Sequence, residues 1–264
     1  MSALKDKKLF LLDMDGTLYI DNELIDGAKE FLSYVKSVGG RYMFLTNNSS
    51  KSVDKYIEKL ASLGIKSEKE DFTTSVNATI GYLKKKNYNK IYSFGTASFV
   101  KQLSDADLPV TTQMCDGIDC LCMGFDTEIT FNKIEDACIL LTKGVDYVAT
   151  NPDWVCPTNY GFVPDCGSVA QMLYNATKRM PIFIGKPQPE MVYLAMREAG
   201  VEAGETVIVG DRLYTDVACG VNAGISSVLV LSGEVAVEDV EKSEIKPEFI
   251  YNSIKELYLE LANG

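Results

Sequence analysis

The chain has no histidine among its 264 residues. That absence excludes Ser-His-Asp and Cys-His triads, histidine-ligated zinc and a phosphohistidine intermediate. Any general acid or base must then be Asp, Glu, Lys, Tyr or Cys. Positive charge is the scarcer sign, 26 Lys and Arg against 37 Asp and Glu, for a formal net charge of −11. Such a balance argues against non-specific nucleic-acid binding, because phosphate contacts need clustered cations. The strong basic run, Lys84-Lys85-Lys86, reads as an exposed helix end, where cations complement the C-terminal dipole. No apolar run approaches the ~18 residues of a membrane span. Residues 1–10 likewise lack the apolar stretch of a signal peptide. The seven cysteines, an odd number without a C-x-x-C pair, fit neither a disulfide framework nor a zinc ribbon. They read as reduced core thiols of a cytoplasmic protein.

What is present is an ordinary globular composition, 46% apolar and 24% charged, long enough for two domains or one large one. Short apolar runs alternate with segments of helical period. Leu9–Leu12, Tyr42–Leu45, Ile182–Ile184, Thr206–Val209 and Ser227–Leu231 are strand-like. Helix candidates separate them: Asp26–Val38 with Asp26 as N-cap, Ser52–Ser62, Glu190–Ala199 and Thr215–Asn222. Strands joined by helices of this length imply parallel pairing, hence a doubly wound, Rossmann-like α/β sheet. The middle carries its own βα pattern, with strands at Lys90–Phe94, Cys120–Met123 and Tyr147–Ala149. Helical stretches lie near Ser98–Leu103, Asn132–Thr142 and Ser168–Lys178. The expected organisation is a core from residues 1–79 and 181–264, with residues 80–180 inserted as a second α/β domain.

Polar clusters follow the core strands. Leu9–Leu12 runs into Asp13-Met14-Asp15-Gly16-Thr17, and aspartates spaced two apart at a strand exit can project to the same side. Four fixed residues at usual frequencies recur by chance in a chain of this length in only about 0.3% of cases. Tyr42–Leu45 ends in Thr46-Asn47-Asn48-Ser49-Ser50, whose hydroxyl, amide and backbone donors suit phosphate oxygens. Ile182–Ile184 leads to Gly185-Lys186-Pro187, and Thr206–Val209 to Gly210-Asp211, with Asp216 five residues on. Taken singly, the first is an Asp-Gly turn, the second an ST-turn, Lys186 a solvated lysine and Asp216 a helix cap. Their convergence on four strands of one sheet carries the argument, since ligands bind at the carboxyl ends of such strands.

Carboxylate nucleophiles that form aspartyl-phosphates are a known route for phosphoryl transfer. Asp13, Asp15, Asp211 and Asp216 would repel a phosphate dianion, at about 4 kcal/mol per charge pair at ~4 Å and an effective dielectric of 20. One lysine cannot offset that. A hard divalent cation with oxygen ligands can, and Mg²⁺ is the natural choice. The residues alone do not choose between Asp13 and Asp15 as nucleophile.

The segments D-M-D-G-T, T-N-N, G-K-P and G-D-R-L-Y-T-D, in this order, resemble the four motifs of the haloacid dehalogenase-like superfamily. Within it the chain is most similar to the NagD-like, or p-nitrophenyl phosphatase-like, group, from Leu9 to about Gly233 and including an inserted α/β cap. The stretch Ala149–Ser168 shares the likeness but has Pro164-Asp165 where that group has Pro-Gly. The resemblance implies that Asp13 attacks phosphorus and that Asp15 protonates the leaving oxygen and then activates water. It implies phosphate binding by Thr46, the Asn47 backbone and Lys186. Mg²⁺ would be held by Asp13, the Asp15 carbonyl and Asp211, with Asp216 close by.

The function expected is a Mg²⁺-dependent phosphatase of sugar, polyol or nucleotide phosphates. The expected partner is a small phosphorylated metabolite, without nucleic acid or membrane, on a monomer or homodimer. A phosphotransferase or mutase on the same scaffold would need an acceptor site that the sequence does not display. A non-catalytic binding module would be expected to have lost Asp13 or Asp15, and both are present. A P-loop kinase is disfavoured, since Gly185-Lys186 is followed by Pro187 and the position five before Gly185 is Met180. Trp154 is expected to anchor its loop rather than line a pocket, with Asn151 and Asp153 as turn residues. Tyr19 is expected to pack, and Arg212 to salt-bridge a core carboxylate in a structural role.

Overall fold

The computed structural model describes residues 4–158, 160–235 and 237–263. The chain folds into two compact units, one from residues 1–46, 56–73 and 186–264, the other from 47–55 and 74–185.

The first unit is built on a six-stranded sheet in the order Phe249–Tyr251, Ser226–Val230, Thr206–Gly210, Leu9–Leu12, Arg41–Thr46 and Phe72–Thr74. Leu9–Leu12 lies at its middle, parallel to both neighbours, with Leu12 opposite Val209 on one side and Phe44 on the other. Its four residues are all buried, as expected of a strand covered on both faces. The helix Ala28–Ser37 covers this sheet through Phe31, Leu32 and Val35, and Phe31 meets Phe10 edge-to-face at 5.5 Å. Each such side chain contributes roughly 1.5–3 kcal/mol by leaving water. Asp26 does not cap this helix. Gly27, at φ 85°, precedes its first turn without a side-chain cap, and the Asp26 carboxylate instead pairs with Lys255 at 2.6 Å.

The second unit holds a five-stranded parallel sheet in the order Ile182–Phe183, Asp146–Ala149, Cys120–Met123, Ile91–Phe94 and Val110–Thr111. Tyr92, Phe94, Leu121, Met123, Leu140 and Leu173 contribute to its apolar core. Val155–Thr158 and Gly161–Pro164 pair as a separate antiparallel two-stranded sheet. The basic run does close an exposed helix end, that of Ser75–Lys86.

One expectation is overturned. Ile182–Ile184 was expected beside Leu9–Leu12 in the core sheet, yet Ile182 and Phe183 pair with Val148 and Ala149 in the second unit. The amides of Ile184 and Gly185 continue that ladder to the carbonyls of Ala149 and Thr150, at 3.1 and 2.7 Å. An apolar triplet records burial but not which sheet buries it. Lys186 is therefore the first residue of the chain's return to the first unit, rather than the tip of a core strand.

Candidate active site

The central strand delivers Asp13, whose amide donates to the Val209 carbonyl at 2.9 Å and so stays in line with the adjacent strand. That adjacent strand ends at Gly210 and presents Asp211, which is 2% exposed. A π-helical turn, Leu213–Val217, follows it and buries Asp216. Such turns widen the backbone and often accompany functional sites. Carboxylate oxygens of Asp13, Asp211 and Asp216 lie within 4.8 Å of one another.

Lys186 meets this cluster. Its buried Nζ donates to Asp13 Oδ1 and Asp216 Oδ1, both at 2.6 Å, and to the Leu45 carbonyl at 3.1 Å. That is one acceptor for each ammonium proton. Burial alone would lower the Lys186 pKa, but Asp13 and Asp216 outweigh it and hold the ammonium charged well beyond the usual range. Burial, with Asp216 and Asp211 nearby, drives the Asp13 carboxyl well above its ordinary value, although Lys186 opposes this. Burial and then the Asp216 charge push Asp211 up to about 6. Burial foremost, with repulsion among the carboxylates behind it, opposes full ionisation of Asp13 and Asp211.

The donor set fits a divalent cation. Asp211 Oδ1 is buried without a hydrogen-bond partner, an arrangement that costs free energy unless a cation or water takes that oxygen. Three hard carboxylates converge on the same point, and among the described residues no cysteine or histidine joins them. This chemistry suits Mg²⁺ or Ca²⁺ rather than zinc.

Asp216 does not cap the helix Ala218–Ala223, which Val217 precedes without a side-chain cap. One Asp216 oxygen instead holds Lys186, while Oδ2 accepts the Arg212 amide at 3.2 Å. Arg212 pairs with Glu234 at 2.7 Å, an exposed carboxylate rather than the core one expected. Asp15 stands apart: its carboxylate accepts the Tyr19 hydroxyl at 3.4 Å and faces Lys59 Nζ at 3.6 Å. Tyr19 is fully buried, a packing residue as expected. Thr46 ends its strand next to Leu45 and is 5% exposed. In the second unit, the Asn47 amide donates to the Asp153 carboxylate at 3.1 Å, and its carbonyl accepts Ser75 Oγ at 2.7 Å.

Asn151 and Asp153 are more than turn residues. Asn151 Nδ2 donates to Asp153 Oδ2 at 2.9 Å and to Asp165 Oδ1 at 3.3 Å, and all three residues are buried. Asp165, the departure from Pro-Gly, caps the helix Cys166–Thr177. Trp154 does not anchor its loop with its ring, which is 53% exposed; its carbonyl accepts Ser168 Oγ and the Asp165 amide. Burial pushes the Cys120 and Cys219 thiols up to about 12, which keeps these two protonated at neutral pH.

A further strand end escaped the sequence reading. Beyond Ser226–Val230, the Glu234 amide donates to Asp211 Oδ2 at 2.9 Å, and Ser232 Oγ to the Gly16 carbonyl at 2.7 Å. A Cβ on Gly233 would sit 2.0 Å from Asp211 Oδ2, so only glycine lets this loop close on the carboxylate. Gly16, at φ 84°, meets the same carboxylate from the other side. The Ser-Gly-Glu after a buried strand was the available signal, and it is a weak one.

Known proteins resemble this chain in sequence and in fold. The family model for haloacid dehalogenase-like hydrolases matches residues 10–109, and a second model, for HAD-like hydrolases, matches residues 183–257. An acid sugar phosphatase of Staphylococcus aureus (strain MRSA252) is 31% identical over 259 residues, covering 98% of this chain and 99% of the relative. The crystal structure of a 4-nitrophenylphosphatase from Thermotoga maritima is 38% identical with a TM-score of 0.93, covering 99% of this chain and all of that one. NagD from E. coli K-12 is 30% identical with a TM-score of 0.86, covering 95% and 98%. The chain belongs to the haloacid dehalogenase-like hydrolases, among the phosphatases of the NagD and p-nitrophenyl phosphatase group.

Proposed function

We propose that this phosphatase hydrolyses phosphomonoesters of small metabolites, with sugar, polyol or nucleotide phosphates as substrates, through an aspartyl-phosphate on Asp13 and with Mg²⁺ as cofactor. The observation that carries this reading is the buried Lys186 bonded to Asp13 within a three-carboxylate cluster. Lys186 fixes the nucleophile through Asp13 Oδ1. An Asp13 oxygen attacks phosphorus as the bond to the ester oxygen breaks, and Asp15 gives that oxygen its proton. Asp15 then takes a proton from the water that attacks the aspartyl-phosphate, which releases phosphate and restores Asp13. Thr46 and the Asn47 backbone bind phosphate oxygens. Asp13, the Asp15 carbonyl, Asp211 and Asp216 would hold Mg²⁺, which would supply positive charge against the transferring phosphoryl group.

We assign substrate selection to residues 80–180, the inserted cap domain. The exposed aromatic rings of Trp154 and Phe162 give it surface for a substrate body. We place the enzyme in the cytoplasm, as a monomer or homodimer. Free cysteines support that location, and among the described residues no helix is long and apolar enough to cross a membrane. Phosphate release should be measured across sugar, polyol and nucleoside monophosphates, with Mg²⁺ and with EDTA. Release that needs Mg²⁺ and ranks the esters by kcat/KM supports the reading. Full turnover by metal-free protein overturns the Mg²⁺ assignment.

A further inference from the structure

Asp15 is the proposed acid/base, yet its side chain has few restraints. Its backbone is tightly set: the amides of Thr17, Leu18 and Tyr19 all donate to the Met14 carbonyl, and the Gly16 amide donates to Tyr19. Its carboxylate remains 46% exposed, and its bond from the Tyr19 hydroxyl, at 3.4 Å, is long. A carboxylate held so weakly samples several rotamers, only some of which face a leaving oxygen.

Lys59 supplies the missing restraint. It lies in the last turn of the helix Val53–Ser62, on which Tyr56 and Leu60 are buried. Its Nζ stands 3.8 Å from the centroid of the Tyr19 ring and 3.6 Å from Asp15 Oδ1. The Tyr19 ring is fully buried and so cannot swing away. A cation–π contact of this kind is modest at a partly exposed site, and it favours the Lys59 rotamers that face Asp15. Asp15 thus faces a partner at each oxygen, the Tyr19 hydroxyl at Oδ2 and the Lys59 ammonium at Oδ1.

We propose that Lys59 is a positioning residue for the acid/base Asp15, clamped on Tyr19 so that the carboxylate points at the ester oxygen. Lys59 touches no reacting atom; it acts through Asp15. This inference rests on the proposed role of Asp15 and extends it to a residue outside the four motifs.

The test compares Lys59→Met, Lys59→Arg, Asp15→Asn and the Lys59→Met/Asp15→Asn double variant, with circular dichroism as the check on folding. Two probes are used, p-nitrophenyl phosphate, whose leaving group departs without a proton, and glycerol 3-phosphate, whose alkoxide needs one. Because kcat/KM reports the step that expels the leaving group, Lys59→Met should lower it about 10- to 100-fold for the alkyl ester, and much less for the aryl ester. Lys59→Arg should recover most of the loss, since guanidinium also stacks on rings and pairs with carboxylates. In the Asp15→Asn background, Lys59→Met should add nothing.

Equal losses on both esters overturn the inference, as does a further loss in the double variant. If Asp15→Asn is inactive on the alkyl ester while Lys59→Met matches wild type, Lys59 is removed and the role of Asp15 stands. If Asp15→Asn itself keeps wild-type kcat/KM on the alkyl ester, the acid/base reading falls, and the Lys59 inference falls with it. Should Lys59→Met fold poorly, Lys59→Gln keeps a polar stem without the charge and must give the same ester selectivity.

Discussion

Replacing Lys186 by methionine keeps most of the side-chain volume and removes the charge from a buried three-way contact. The ammonium is 2.6 Å from oxygens of Asp13 and Asp216, and those side chains are 17% and 1% exposed. At that distance each attraction is worth about 6 kcal/mol at an effective dielectric of 20, most of it offset by desolvation. What Lys186→Met leaves behind is a buried Asp216 and a partly buried Asp13 without their cation, and breaking a buried pair from one side costs about 3–5 kcal/mol. For a chain of this size the Tm falls by about 6–20 °C. The assay is thermal and urea unfolding in EDTA and in Mg²⁺.

The deficit should be largest in EDTA, because a divalent cation among Asp13, Asp211 and Asp216 supplies part of the lost charge. It should also shrink on acidification. Burial already holds the Asp13 carboxyl above its ordinary range, and Lys186 is what pulls it down. Without the lysine it rises further. A carboxyl whose folded pKa exceeds its unfolded one favours the folded state below the unfolded value, and loses that contribution as pH rises through the folded value. Lys186→Met should therefore sit closer to wild type at pH 5 than at pH 8. A variant within ~1 kcal/mol of wild type in EDTA at pH 8, the size of an exposed pair, would refute the buried-pair reasoning.

Other consequences follow from the same contacts. Gly233→Ala places a methyl where Asp211 Oδ2 stands, so metal affinity by isothermal titration should fall at least tenfold while the far-ultraviolet spectrum is kept; unchanged affinity would separate Asp211 from the cation. Mg²⁺ at about 100 times its Kd should stabilise the protein by about 2.7 kcal/mol, read as a rise in Tm, and no shift would mean that the carboxylates do not bind it. Asn151→Ala strips buried Asp153 and Asp165 of an amide donor and should cost about 1–3 kcal/mol in urea unfolding, with an exposed-site value refuting the network.

Much of the site was legible because its residues sit directly after buried strands. Leu9–Leu12 is the predicted strand without change, and Asp13 follows from it. The alternation of strand and helix was enough for parallel sheets. Pairing partners were not legible, since Ile182 and Phe183 are apolar in either sheet and only the ladder to Val148 and Ala149 assigns them. Lys59 was hidden for a different reason. Its helix has ordinary amphipathic spacing, and nothing local distinguishes a lysine aimed at a tyrosine ring 40 residues earlier from one in water. Asn151 and Asp153 read as turn residues because loops use the same side chains, and only burial reveals the network.

The most direct test of the central claim is phosphate release by wild type and Asp13→Asn, each with Mg²⁺ and with EDTA. The asparagine keeps the shape of the side chain beside Lys186 but cannot form a stable acyl phosphate. Turnover by wild type in Mg²⁺ alone, with a folded and inactive Asp13→Asn, is the predicted result. Sustained release by pure, folded Asp13→Asn would contradict Asp13 as the nucleophile.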